Sequence, residues 1–111
     1  MTSQDRNRPF SQFVEFVVDA RHQSGLVIAL TDRAERFTRT YPGFISASVQ
    51  VSEDQQRVLS HVLWDSKEDC ERAFENAEQG EEDFWTLIRQ HRATALTFNA
   101  YRVMSETVGR R

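Results

Sequence analysis

The chain has 111 residues, of which 39% are hydrophobic and 28% charged, and its formal net charge is −3 at pH 7. That length suits one compact domain. Acids interleaved with the arginines argue against a nucleic-acid partner, which needs a basic stripe. No apolar run approaches the roughly 18 residues of a membrane helix, so no membrane partner is expected. The one cysteine, Cys70, cannot form an internal disulfide, which points to a reducing compartment such as the cytoplasm.

Residues 1–9 read as a loose polar leader, without the apolar core of a secretory signal. From Phe10 to Asp19 the chain is rich in Phe and Val. Val14, Phe16 and Val18 share one face of a strand, and Phe13, Glu15 and Val17 share the other. Both faces are largely apolar, as in a strand covered on both sides. A helical period begins near Ser24, where Val27, Leu30, Ala34, Phe37 and Tyr41 form one stripe. Pro42 and Gly43 stop it: proline disfavours helix in the residue before it, and glycine permits a reversal.

Phe44 to Ser52 alternates, with Ile45, Ala47, Val49 and Val51 facing one way. The tract 53–57 is short enough for a hairpin turn. Val58 to Trp64 returns, with Ser60, Val62 and Trp64 on one face and Leu59, His61 and Leu63 on the other. Ser66-Lys67-Glu68-Asp69 reads as a capping box with Asp in place of Glu. Cys70, Ala73, Phe74 and Ala77 then form the expected buried stripe. Gly80 breaks this helix, and 81–83 begin a short one carrying Phe84, Trp85, Leu87, Ile88 and His91. A last strand spans Thr94 to Met104, before a polar tail at 105–111.

The order strand, helix, strand, strand, helix, strand defines an α+β fold. It is a ferredoxin-like βαββαβ domain over residues 10–104, with a four-stranded antiparallel sheet and helices on one face. The second sheet face carries enough apolar residues to need covering. A second copy packed sheet to sheet, a homodimeric α/β barrel, is the expected solution.

With its Pro-Gly-Phe turn and strand-end tryptophan, the chain resembles the antibiotic biosynthesis monooxygenase family of dimeric α/β barrels. The resemblance covers about Phe13 to Val103 and is carried most strongly by YPGFISASVQVSEDQQRVLSHVLWDSKED. Relatives include oxygenases of polyketide tailoring, quinol oxygenases, haem degraders and proteins with no assigned reaction. In the polyketide oxygenases a tryptophan at the Trp64 position lines the cavity between sheet and helices. An asparagine often stands four residues before it, where this chain has Ser60. One subgroup has a tyrosine six residues after it, where this chain has Cys70. Haem degraders carry an axial histidine on the following helix, where this chain turns Cys70, Ala73, Phe74 and Ala77 inward, so haem is not expected.

The resemblance implies chemistry without a cofactor, with dioxygen as co-substrate: an ionised phenol or enol reduces dioxygen directly, inside an apolar pocket. The implied function is a small cofactor-independent monooxygenase acting on an aromatic, polyketide-like or quinol-like substrate. Trp64 and Ser60 are the candidate catalytic positions. Trp64, Cys70, Phe74, Asn99 and Trp85 are the candidate substrate contacts, and no metal ligands are expected. Each has a plainer reading as well. Trp64 also reads as a core residue whose N–H finds an acceptor, Ser60 as a backbone-bonded serine, and Cys70 as a small core side chain. Asn99 and Tyr101 share a face of the last strand and satisfy sheet edges equally well. Phe84 and Trp85 read as core or pocket lid, and His22 and His91 as surface groups. Two other functions stand beside the oxygenase. One is a non-catalytic dimer binding a small hydrophobic ligand. The other is a cyclase or isomerase, which requires acid–base groups such as Glu15 or His61 to face inward.

Overall fold

The computed structural model describes residues 8–80 and 84–109. Strand β1 (Phe10–Val17) leads into helix α1 (Ala20–Arg36) and a 3-10 turn (Thr38–Thr40). Strands β2 (Phe44–Val51) and β3 (Arg57–Trp64) follow, then helices α2 (Lys67–Gly80) and α3 (Phe84–Gln90), and strand β4 (Ala95–Arg102). The four strands make one sheet in the order β2-β3-β1-β4, every neighbour antiparallel. This is the expected ferredoxin-like fold. The expected loose leader lies, over residues 1–7, outside the described residues, as do 81–83, where the short helix was expected to begin.

Helix α1 begins four residues earlier than its apolar stripe suggests. Asp19, in extended conformation, accepts the Arg21 backbone N–H at 2.8 Å and caps the helix. The same cap ends β1 before Asp19, with the Val18 N–H turned to the Gln56 carbonyl at 2.9 Å. The far end also differs from expectation. Phe37 closes α1 with its N–H on the Arg33 carbonyl, so Tyr41 lies beyond the helix. The expected hairpin turn at 53–57 forms, with the Gln55 N–H bonded to the Ser52 carbonyl.

All helices pack on one sheet face. Under α1 and α3, Val14, Phe16, Val18 and Val58 meet Leu26, Leu30, Leu87 and Ile88 in the main core. Burying each large apolar side chain contributes about 1.5–3 kcal/mol. A second, smaller core under α2 joins Trp64, Cys70 and Ala73 to Phe10, Tyr41, Phe44 and Val62. Among the described residues no helix covers the other sheet face. There Phe13 stacks on His61, with centroids 4.4 Å apart and planes 9° apart, and meets the Tyr101 ring edge-on. Among the described residues no helix is long and apolar enough to cross a membrane.

Candidate functional site

The second core opens into a cavity, and local structure at one end of the sheet sets its position. Ser66 ends the link from β3 and caps α2. Its Oγ accepts the Asp69 N–H at 3.1 Å and donates to Asp69 Oδ2 at 3.0 Å. Asp69 is held in turn by Arg72 at 3.2 Å. The Asp65 N–H donates to the Gly43 carbonyl at 2.8 Å, tying the turn before β2 to the start of α2. The Ser66 cap expected from the sequence is therefore present, though Asp69 returns to the Ser66 hydroxyl and not to its backbone N–H as a full capping box would.

From that anchor α2 packs against β1 and β3, and a cavity lies between it and strands β1 and β4. Lys67, Cys70, Glu71, Phe74 and Glu75, at helical spacings of three and four, form one wall of a cavity of about 610 Å³. Phe10 and Gln12 of β1, with Phe98 and Ala100 of β4, form the floor. Phe13 and Asn99, paired across β1 and β4, also border it. The size and mixed lining suit a small organic molecule.

The sequence-derived candidates fall into three groups. Cys70 and Phe74 border the cavity, and Asn99 borders it too, but its pairing with Phe13 turns its side chain to the helix-free face, away from the expected substrate contact. Phe74 is 50% exposed, so it does not belong to the buried stripe expected of it. Of the described stripe residues Cys70 and Ala73 are buried, and Phe74 faces the open space. Trp64 and Ser60 face the helix side of β3 but do not form the cavity wall. Trp64 is 2% exposed, meets Phe44 edge-to-face at 6.0 Å, and donates its indole N–H to Gln12 Oε1 at 3.3 Å. Gln12 and Phe10 stand between it and the cavity's centre. Ser60 lies further down the sheet, opposite Val14 and Val49. The side chains of Trp85, Phe84 and Ala77 lie outside the described residues.

Glu15 and His61 occupy the helix-free sheet face, away from the cavity. Glu15 pairs with Leu59 and Thr97, and His61 Nε2 sits 3.2 Å from Ser11 Oγ. The acid–base pair that a cyclase or isomerase would need is therefore turned the other way. Tyr101 shares that face through its contact with Phe13. Burial lowers the His61 pKa below its ordinary 6.5. Cys70 is pushed up to about 11, first by burial and then by the nearby Glu71 carboxylate. At neutral pH it is a neutral thiol, an apolar wall element.

The sequence reading of the site missed the other lining residues, Phe10, Gln12 and Phe13 of β1, Lys67, Glu71 and Glu75 of α2, and Phe98 and Ala100 of β4. A signal existed for Gln12, the polar exception in the row Phe10, Gln12, Val14, Phe16 that faces the helices. For the α2 residues the signal was helical spacing from Cys70. Among the described residues no three His, Cys, Asp or Glu side chains are grouped as metal ligands, and the described α2 side chains bordering the cavity include no histidine.

A family model described as antibiotic biosynthesis monooxygenase matches residues 9–82. Three solved structures share the fold. The monooxygenase ActVA-Orf6 of Streptomyces coelicolor, solved with nanaomycin D, has 20% identity and a TM-score of 0.74, covering 94% of this chain and 95% of its own. A dimeric ferredoxin-like protein from an uncultured marine organism has 12% identity and a TM-score of 0.75, covering 90% and 99%. A variant of SnoaB from Streptomyces nogalater, a cofactor-independent oxygenase, has 13% identity and a TM-score of 0.64, covering 89% and 96%. No curated protein matches the chain.

Proposed function

The chain belongs to the antibiotic biosynthesis monooxygenase family, and from that premise we propose that it oxidises a planar hydroxyaromatic or quinol-like substrate with dioxygen, without a cofactor. The observation that carries this reading is the cavity of about 610 Å³ between α2 and the β1–β4 half of the sheet. Its floor of Phe10, Phe98 and Ala100 offers an apolar bed for a flat ring system. Its floor amide, Gln12, offers hydrogen bonds to ring oxygens.

The reaction needs little from the protein. An ionised phenol or enol transfers one electron to dioxygen, giving a substrate radical and superoxide. Their combination forms a C–O bond and a hydroperoxide. Loss of water leaves a carbonyl on the substrate, so one oxygen atom enters the product and the other leaves as water. Cys70 and Phe74 would contact the ring system, Asn99 would meet it only through its backbone because its side chain shares the face of Phe13, and Trp64 and Ser60 would shape the environment behind the floor.

The molecule would act as a homodimer. Phe13, His61 and Tyr101 lie on the helix-free sheet face, and Tyr101 is 57% exposed in the single chain. The related marine fold is described as dimeric, and a second copy would cover this face. The single free cysteine, buried as a thiol, fits a reducing compartment such as the cytoplasm.

Oxygen uptake by the purified protein, incubated with a panel of anthrols and quinols, tests the activity. Uptake above the buffer rate is expected, and Trp64→Ala should lower it while light scattering still reports a dimer. No uptake together with tight binding of an aromatic dye would instead make the protein a binder of small hydrophobic ligands.

A further inference from the structure

Gln12 stands on β1 in the row that faces the helices, and its side chain lines the cavity. Its amide oxygen accepts the indole N–H of Trp64 at 3.3 Å. An indole nitrogen can only donate, so the amide atom facing it must be the oxygen, and the two ends of the carboxamide are no longer interchangeable. The NH₂ group is turned away from Trp64. Among the described residues no hydrogen bond occupies it. Trp64 is itself locked, 2% exposed and held edge-on against Phe44. A rigid donor therefore fixes a half-buried amide so that its own donors are left for whatever enters the cavity.

We propose that Gln12 is the group that binds the substrate's ionisable oxygen, through its amide N–H, and that Trp64 is a positioning residue acting through Gln12. This rests on reading the cavity as the substrate site. A hydrogen bond to a charged acceptor is roughly twice as strong as one to a neutral acceptor, so the NH₂ group favours a phenolate over the parent phenol. The indole holds the amide oxygen toward Trp64 by one of its two lone pairs, so it is the NH₂ end that is left toward the cavity. Gln12 thus selects hydroxyaromatics in their anionic form, the form that gives up an electron. Lys67 on the α2 wall adds to this preference, and Glu71 and Glu75 oppose it. The effect of Gln12 must accordingly be read by comparing variants with that charge background unchanged.

The test is an anaerobic titration of 1-naphthol, followed by the absorbance of its anion, with wild type, Gln12→Leu, Gln12→Glu and Trp64→Phe. Bound to wild type, the probe should ionise at a lower pH than in water. Gln12→Leu should lose roughly tenfold of that preference for the anion. Gln12→Glu, almost the same shape and still able to accept from Trp64, should favour the neutral phenol. Trp64→Phe should show a smaller loss than Gln12→Leu, since the amide remains but is no longer held. Gln12→Glu alone decides the matter if Gln12→Leu does not fold. Identical ionisation in wild type and both Gln12 variants overturns the assignment, as does failure of wild type to bind the probe. The expected titration in a protein that consumes no oxygen with any anthrol removes the oxygenase reading and leaves Gln12 in its role. Equal oxidation rates in wild type and Gln12→Leu, with unchanged probe ionisation, do the reverse.

Discussion

The α-carbon of Gly43 lies directly against the carboxylate of Asp69, so a methyl group there would overlap that side chain. Gly43 also has a φ of 86°, in the left-handed region that other residues adopt at a cost. Two independent constraints, backbone and packing, thus meet at the point where the Pro-Gly turn touches the first turn of α2. Gly43→Ala is expected to destabilise the fold by about 2 kcal/mol or more, seen as a lower urea midpoint. Ser66→Ala, which removes the cap but leaves the close approach, should cost about 1 kcal/mol. A Gly43→Ala protein with an unchanged midpoint would show that the turn and helix are not packed as described.

The stack of His61 on Phe13 gives stability a pH dependence. Burial lowers the His61 pKa, so the folded chain prefers the neutral ring. Its contribution is present above about 6.5 and is lost as the pH falls through the lowered folded value. Ser11 Oγ touches the ring, and Glu15 lies on the same sheet face. Unfolding midpoints measured at pH 7 and pH 5 should fall further for wild type than for His61→Gln. Equal falls would assign the pH response to other groups.

Cys70 should be silent toward thiol reagents in the folded protein. With its pKa pushed up to about 11, the thiolate is scarce at pH 8, and the side chain is 8% exposed. Iodoacetamide labelling should be slow in buffer and fast in denaturant, where the ordinary value near 9 is restored. The raised value also means that folding keeps the proton, so stability declines as the pH rises from about 9 to about 11. Rapid labelling in buffer would mean that the α2 wall opens readily.

Ala100 offers a way to close the cavity without touching either core. It is exposed on β4 and forms part of the cavity floor. Ala100→Trp is expected to abolish aromatic binding and any oxygen uptake while the circular dichroism spectrum stays unchanged. Retained binding would place the ligand elsewhere.

Most of the fold was legible because the signals were local. Alternation in β2 and β3, the hairpin turn and the Ser66 cap each depend on neighbours within a few residues, and each appears in the structure where periodicity and capping chemistry put it. Helix α1 was misjudged at both ends because its limits come from the Asp19 cap and the Phe37 closure, which an apolar stripe does not report. The site was less legible. Glu15 drew attention as a charge in an apolar strand, yet it faces away from the cavity. Gln12, one pleat away in the other row, looked unremarkable.

By itself the sequence determined the order of elements, the antiparallel hairpin and the strand-end position of Trp64, because backbone preference and side-chain period act over short distances. Only the tertiary structure decided that a cavity lies between α2 and strands β1 and β4, that Trp64 is buried outside its lining, and that Gln12 touches both. Those outcomes depend on how far one helix is held from strands that are remote in the chain. The contact of Gly43 with Asp69 and the side chains packed between the layers join segments remote in the chain, and no local pattern encodes them.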